Sequence, residues 1–237
     1  MKENDKLKKK KEGFFFKGYK ACIKATKKKV RFVYLGTHFE DGSLILSNHE
    51  STKGPLSWDF FCDKPVRFLG TEEMNSGLRR MYKYQSEVYY HQKKHWNLFG
   101  AKMFCLLASP LTNLFYKGLD LISIKEGMGF MKTLEDATIS LTEYKENLVI
   151  FPEDSTTGYH KELVGFKKGF LLIAQNCQRK GVDLPIVVSY YNKERSVIVV
   201  GEPIKYSELI EKFKTKEEIA DYLKDVCNDL GKKSETL

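Results

Sequence analysis

The 237 residues are enough for one domain with a sizeable core, and 42% hydrophobic with 13% aromatic residues is too apolar a composition for disorder beyond the chain ends. The five cysteines (Cys22, Cys62, Cys105, Cys177, Cys227) stand singly, which excludes a zinc-ribbon or redox-pair pattern and points to a reducing compartment. The net charge of +9 belongs to the start of the chain: residues 1–31 hold 13 Lys or Arg against 3 acidic residues, and the rest holds 27 against 28.

That first segment, residues 1–29, reads as a basic amphipathic helix. In 14-FFFKGYKACIKATKKK-29, Phe15, Tyr19, Cys22 and Ile23 recur at helical spacing while Lys17, Lys20, Lys24 and Lys27 project elsewhere. Phe14, Phe15, Phe16, Lys17, Tyr19 and Lys20 are the residues expected to meet an anionic membrane surface. Packing of the aromatic face on the domain, or nucleic-acid binding, are the alternatives; nucleic acid is not the expected partner. No signal peptide is read at this end.

From residue 30 to 237 strands and helices alternate. Short apolar or β-branched runs at 30–36, 43–47, 65–70, 119–124, 147–151, 184–190 and 196–201 predict about seven strands. Helical periodicity occupies roughly 73–94, 97–116, 129–145, 166–180 and 216–230. The expected fold class is α/β, a mostly parallel central sheet covered by helices, with chemistry at the strand ends. In 96-WNLFGAKMFCLLASPLTNLFY-116 Lys102 interrupts and Pro110 should kink, so a buried or interfacial helix pair is expected and no transmembrane helix.

Two loops carry the chemistry. His49 closes the strand 43–47 just before a turn, where a histidine can take a proton from a hydroxyl in a cleft; a core histidine bonded to backbone is the bland alternative. In 150-IFPEDSTTGY-159 Pro152 stops a strand, and 166-FKKGFLLIAQ-175 follows as a helix start with Lys167 and Lys168, attractive to phosphate. His91 and His95 lie four apart without a third ligand, so no metal site is expected.

The order of these blocks resembles the glycerolipid acyltransferases of the PlsC type, which include 1-acylglycerol-3-phosphate acyltransferases. The counterparts are 48-NHESTKGP-55, 118-GLDLISIK-125, 151-FPEDSTT-157 and 184-LPIVV-188, over roughly residues 30–205. The resemblance implies His49 as general base toward an acceptor hydroxyl, and an acyl-CoA or acyl-carrier-protein thioester as donor, with no bound cofactor. It implies a lysolipid acceptor held by Glu153, Ser155, Lys125, Lys167 and Lys168, an acyl chain among the apolar helices of 97–116, and a peripheral place on the cytoplasmic membrane face. Three positions depart from the pattern. Gly54 stands where the family has the aspartate that orients the histidine, and Asp59 is the expected substitute, with Glu50 the other candidate. Lys125 and Thr156 stand where the family has arginines, and Asp154 replaces a glycine. A non-catalytic lipid-binding protein on such a scaffold is the alternative that Gly54 and Thr156 suggest.

Overall fold

The chain contains a mostly parallel β-sheet flanked by helices, and its centre is a pair of strands too apolar to face water. The structure is a computed structural model that describes residues 7–10, 12–50, 53–125, 127–154 and 160–237, apart from the side chain of Lys93. The helices are α1 (Phe14–Ala25), α2 (Lys53–Phe61), α3 (Glu72–Asn75), α4 (Leu78–Lys83), α5 (Leu98–Leu119), α6 (Phe130–Thr142), α7 (Gly169–Arg179), α8 (Tyr206–Lys212) and α9 (Lys216–Ser234). A π-helical run, Tyr84–Lys93, continues directly from α4. The strands are β1 (Arg31–Tyr34), β2 (Leu44–Ser47), β3 (Val66–Thr71), β4 (Ile122–Ile124), β5 (Asn147–Ile150), β6 (Pro185–Asn192), β7 (Val197–Val200) and β8 (Ile204–Lys205).

Two compact units divide these elements: Met1–Lys8, Lys27–Phe68 and Leu134–Leu237 form one, Lys9–Thr26 and Leu69–Thr133 the other. In the first unit the strand order is β1-β7-β6-β2-β5-β3, with β8 paired to β6. Of these pairings only β6 with β7 and β6 with β8 are antiparallel; β1–β7, β2–β6, β2–β5 and β3–β5 are parallel. All four residues of β2 and all eight of β6 are buried, as strands covered on both faces must be. Helix α9 lies against β6 and β7. It starts at a capping box in which Thr215 and Glu218 satisfy each other's backbone N–H groups. In the second unit residues 69–71 of β3 pair in parallel with β4, and α5 packs against the π-helical run, α4 and α1.

All seven expected strands form. The helix expected over 73–94 does not form as one piece. Gly77, at φ +92°, separates α3 from α4, and α4 then widens into the π-helical run. The expected helix pair over 97–116 is also corrected: one helix, capped by Asn97 accepting from the Gly100 N–H at 2.7 Å, runs from Leu98 to Leu119 through Pro110. It is long and apolar enough to cross a bilayer by length and composition. The helix expected from residue 166 begins at Gly169, because Phe166 is held in an extended antiparallel bridge to Glu153.

Candidate functional site

Adjacent parallel strands β2 and β5 bring two loops to one place in the first unit. Leu46 is in register with Ile150, so the residues that follow, Asn48-His49 on one strand and Pro152-Glu153 on the other, leave the sheet side by side at its carboxyl edge. The backbone N–H of His49 donates to Glu153 Oε2 at 2.9 Å. The sequence flagged both residues separately, and the structure brings them together.

Asn48 ends β2 by substituting its side chain for backbone. Its Nδ2 donates to the Tyr191 carbonyl at 3.1 Å and its Oδ1 accepts from the Tyr191 N–H at 2.7 Å, extending the pairing with β6 by one step. The chain then turns through Glu50, whose φ of +42° is left-handed, and α2 follows. The His49 ring is half-buried. It meets the Phe151 ring edge-on, with centroids 4.9 Å apart, and Phe151 in turn stacks on Phe68 at 6.4 Å. Aromatic contact on one side limits the orientations open to the imidazole.

Gly54 lies in the first turn of α2 and is buried there. A Cβ at that position would fall 2.4 Å from the His49 carbonyl oxygen and 3.2 Å from that of Asn48. The family's aspartate is therefore excluded sterically. Asp59 stands farther along the same helix, half-buried; its Oδ2, like His49 Nδ1, is a buried atom. Glu50 is turned toward Lys193, 3.9 Å away.

Glu153 is only 7% exposed. Burial pushes its carboxyl above the usual carboxylate range; the hydrogen bond from the His49 N–H opposes this, the Glu50 carboxylate adds to it, and His160 opposes it again. Its loop is fixed to the next segment by two backbone bonds, Asp154 N–H to the Gly165 carbonyl at 2.9 Å and Lys167 N–H to the Pro152 carbonyl at 2.7 Å, which together form the Glu153–Phe166 bridge. Helix α9 holds that segment in turn. Asn228 accepts from the Leu163 N–H at 2.8 Å and donates to the Leu163 carbonyl at 3.1 Å.

The expected cationic residues differ in what they meet. Lys167 and Lys168 are exposed and precede α7 rather than lying in its first turn. Lys168 Nζ is paired with Glu217 of α9 at the surface. Lys125 belongs to the second unit, where its N–H donates to Thr133 Oγ1 at 3.0 Å. Ser155 and Thr156 lie outside the described residues. Of the N-terminal set, Phe14 and Phe15 are 86% and 89% exposed, and Lys17 is exposed. Phe16 is buried against Phe115, Tyr19 donates its hydroxyl to the Leu111 carbonyl at 3.2 Å, and Lys20 pairs with Glu12 at 2.8 Å. The aromatic face expected to point one way is thus split between solvent and α5. His91 donates through Nδ1–H to the Trp96 carbonyl at 2.8 Å. A surface groove of about 340 Å³ in the second unit, lined by Glu72, Glu73, Arg80, Lys83 and Tyr84 among others, includes neither His49 nor Glu153. The strand-end loops, where a histidine and a buried carboxyl meet, are the candidate site.

Sequence reasoning missed the two asparagine clamps, Asn48 on Tyr191 and Asn228 on Leu163. A buried asparagine just after a strand, or in the apolar face of a helix, is the only sequence signal they leave.

No protein-family model and no curated protein matches this sequence. Among solved structures, the chain is similar to the crystal structure of the 1-acyl-sn-glycerophosphate (LPA) acyltransferase PlsC from Thermotoga maritima. The TM-score is 0.52 at 15% identity, covering 94% of this chain and 90% of that one. At that identity the likeness establishes the fold.

Proposed function

We propose that this chain is an acyltransferase that moves a fatty acyl group from an acyl thioester, acyl-CoA or acyl-carrier protein, to a hydroxyl of a lysophospholipid or glycerolipid such as 1-acylglycerol-3-phosphate. The observation that carries the reading is the pairing of His49 with Glu153 at the carboxyl ends of β2 and β5; the fold shared with a PlsC acyltransferase supports it. His49 takes the proton of the acceptor hydroxyl as its oxygen attacks the thioester carbonyl. The C–S bond then breaks, and the departing thiolate takes the proton back from the imidazolium. Asp59 orients the imidazole in this reading, Glu153 holds the loop and the acceptor's polar part, and Ser155, Lys167 and Lys168 bind the phosphate end. The basic face of α1 brings the protein to an anionic, cytoplasmic membrane surface. The test is release of free thiol from purified protein given lysolipid and acyl thioester. Turnover that falls at least 10²-fold, roughly, in His49→Ala is expected, and turnover equal to that variant's refutes the reading.

The steric exclusion of an aspartate at Gly54 favours one second reading, a lipid-binding protein without turnover. It requires vesicle binding that survives His49→Ala and no thiol release with any donor.

A further inference from the structure

Strand β1 stands at one end of the strand order, and β7 is its one pairing among the described residues. The Arg31 N–H donates to the Ser196 carbonyl at 3.0 Å and the Leu35 N–H to the Val200 carbonyl at 2.9 Å. With Val33 between them, the odd-numbered residues direct their backbone groups to β7. Those groups alternate in direction along a strand, so the N–H and C=O of Phe32 and Tyr34 point away from the sheet. Such an edge is a template for another strand. Neither proline nor lysine interrupts 31-RFVYL-35 to blunt it. The Arg31 guanidinium is turned to the Leu237 carbonyl beyond α9, at 2.6 Å.

The charges at the two ends of β1 favour a second copy of this chain as that strand. Lys27, Lys28 and Lys29 precede it and are exposed. Acidic groups lie at its other end: Asp63 accepts the Tyr34 hydroxyl at 2.8 Å and is 3.6 Å from His38, and Glu202 lies against Gly36. Two copies running in the same direction would set lysine beside lysine. Antiparallel, about a two-fold axis through Val33, they bring Lys28 and Lys29 of one copy opposite His38 and Thr37 of the other, next to those carboxylates. That register also uses every outward backbone group, since Phe32 of each copy exchanges both its bonds with Tyr34 of the other. Phe32 meets Trp58 edge-on, with centroids 5.0 Å apart. On that side of the sheet each Phe32 ring then faces a Tyr34 ring, an aromatic cross-strand pair.

We propose that two copies of this chain pair β1 with β1, antiparallel and centred on Val33, joining their sheets into one continuous sheet. Strands β7 and β6 separate β1 from β2, so the pairing leaves the His49 loop untouched. It rests on neither acyl transfer nor membrane contact.

Sedimentation of the full-length protein across a concentration series tests it. A dimer is expected whose dissociation constant rises roughly tenfold or more in Val33→Lys, because like charges would then face each other across the axis. Lys29→Glu should weaken the dimer about threefold, and Glu202→Lys added to the same chain should restore it. Facing residues of a non-hydrogen-bonded antiparallel pair have Cα atoms about 4.5 Å apart, within disulfide reach. In a Cys22→Ser/Cys62→Ser background, Val33→Cys should therefore cross-link into a covalent dimer under mild oxidation. Leu35→Cys, roughly 13 Å from its counterpart, should not. Amide exchange at Phe32 and Tyr34 should slow as the dimer forms. The proposal is overturned by a monomer at every concentration, which would leave the edge to a different protein, or by a dimer that Val33→Lys leaves intact. Cross-linking at Leu35→Cys but not at Val33→Cys also overturns it, as do Phe32 and Tyr34 amides protected in the monomer, which would mean that the chain covers its own edge.

Discussion

The carbonyl oxygen of His49 lies 2.4 Å from where any side chain at position 54 would begin. The chain returns over its own histidine so closely that α2 starts with its backbone against the His49 peptide. Gly54→Ala is expected to cost about 1–3 kcal/mol through overpacking. Gly54→Asp, which would restore the aspartate of the PlsC pattern, should lower both melting temperature and turnover. A rise in turnover in Gly54→Asp would show that the turn can open and that glycine is not there for space.

Because position 54 cannot supply a carboxylate, the acyl-transfer reading relies on Asp59. Asp59→Asn keeps the size and removes the charge. A rate loss on the order of 10²–10⁴ with little change in KM is expected if Asp59 fixes and stabilises the imidazole. A pH–rate profile separates that role from packing, since only loss of the charge shifts the limb assigned to His49. An unchanged profile would exclude Asp59 as the partner.

Much of the architecture was legible in the sequence. Runs such as 147-NLVIF-151 and 184-LPIVVSY-190 are β-branched and short, so seven strands and their parallel packing could be read. The misread places have two causes, long-range backbone pairing at Phe166 and a local backbone break at Gly77. Phe166 looks like the start of a helix but is drawn into a bridge with Glu153. Gly77 splits a segment whose apolar periodicity looks continuous. His49 and Glu153 were each legible, but their hydrogen bond depends on the β2–β5 register, which no single segment encodes. Asn48 could be matched to a motif, yet its bond to Tyr191 comes from a strand 143 residues away.

Asn228 anchors the loop that leads to Lys167 from the opposite side of the motif. Its amide satisfies both the N–H and the carbonyl of buried Leu163. Asn228→Ala leaves two buried backbone groups to find water, at about 1–3 kcal/mol for each that fails. Asn228→Asp keeps the acceptor but loses the donor, so it should fall between parent and Ala in a denaturant melt. Faster amide exchange at Leu163 in Asn228→Ala would show the loosening directly; unchanged exchange would mean that other contacts hold the loop.

Burial disfavours a charge on Glu153, and stability should register this. Its folded pKa is raised above the usual 4.5, so the native state holds the proton more tightly than the unfolded chain does. The contribution favouring the fold is complete below the unfolded pKa and is lost as pH rises through the folded one. Between pH 4.5 and neutrality this residue should therefore pull stability down. Glu153→Gln still accepts from the His49 N–H through its amide oxygen but never ionises. Its stability should be flatter over that window and at least equal to the parent's at neutral pH. In the acyl-transfer reading turnover should fall, because the carboxylate proposed to hold the acceptor is gone. Chemical denaturation of both proteins at several pH values reads the first effect, and thiol release reads the second. Parallel stability profiles would mean that Glu153 titrates as it does in water and that the bond from His49 fully offsets its burial.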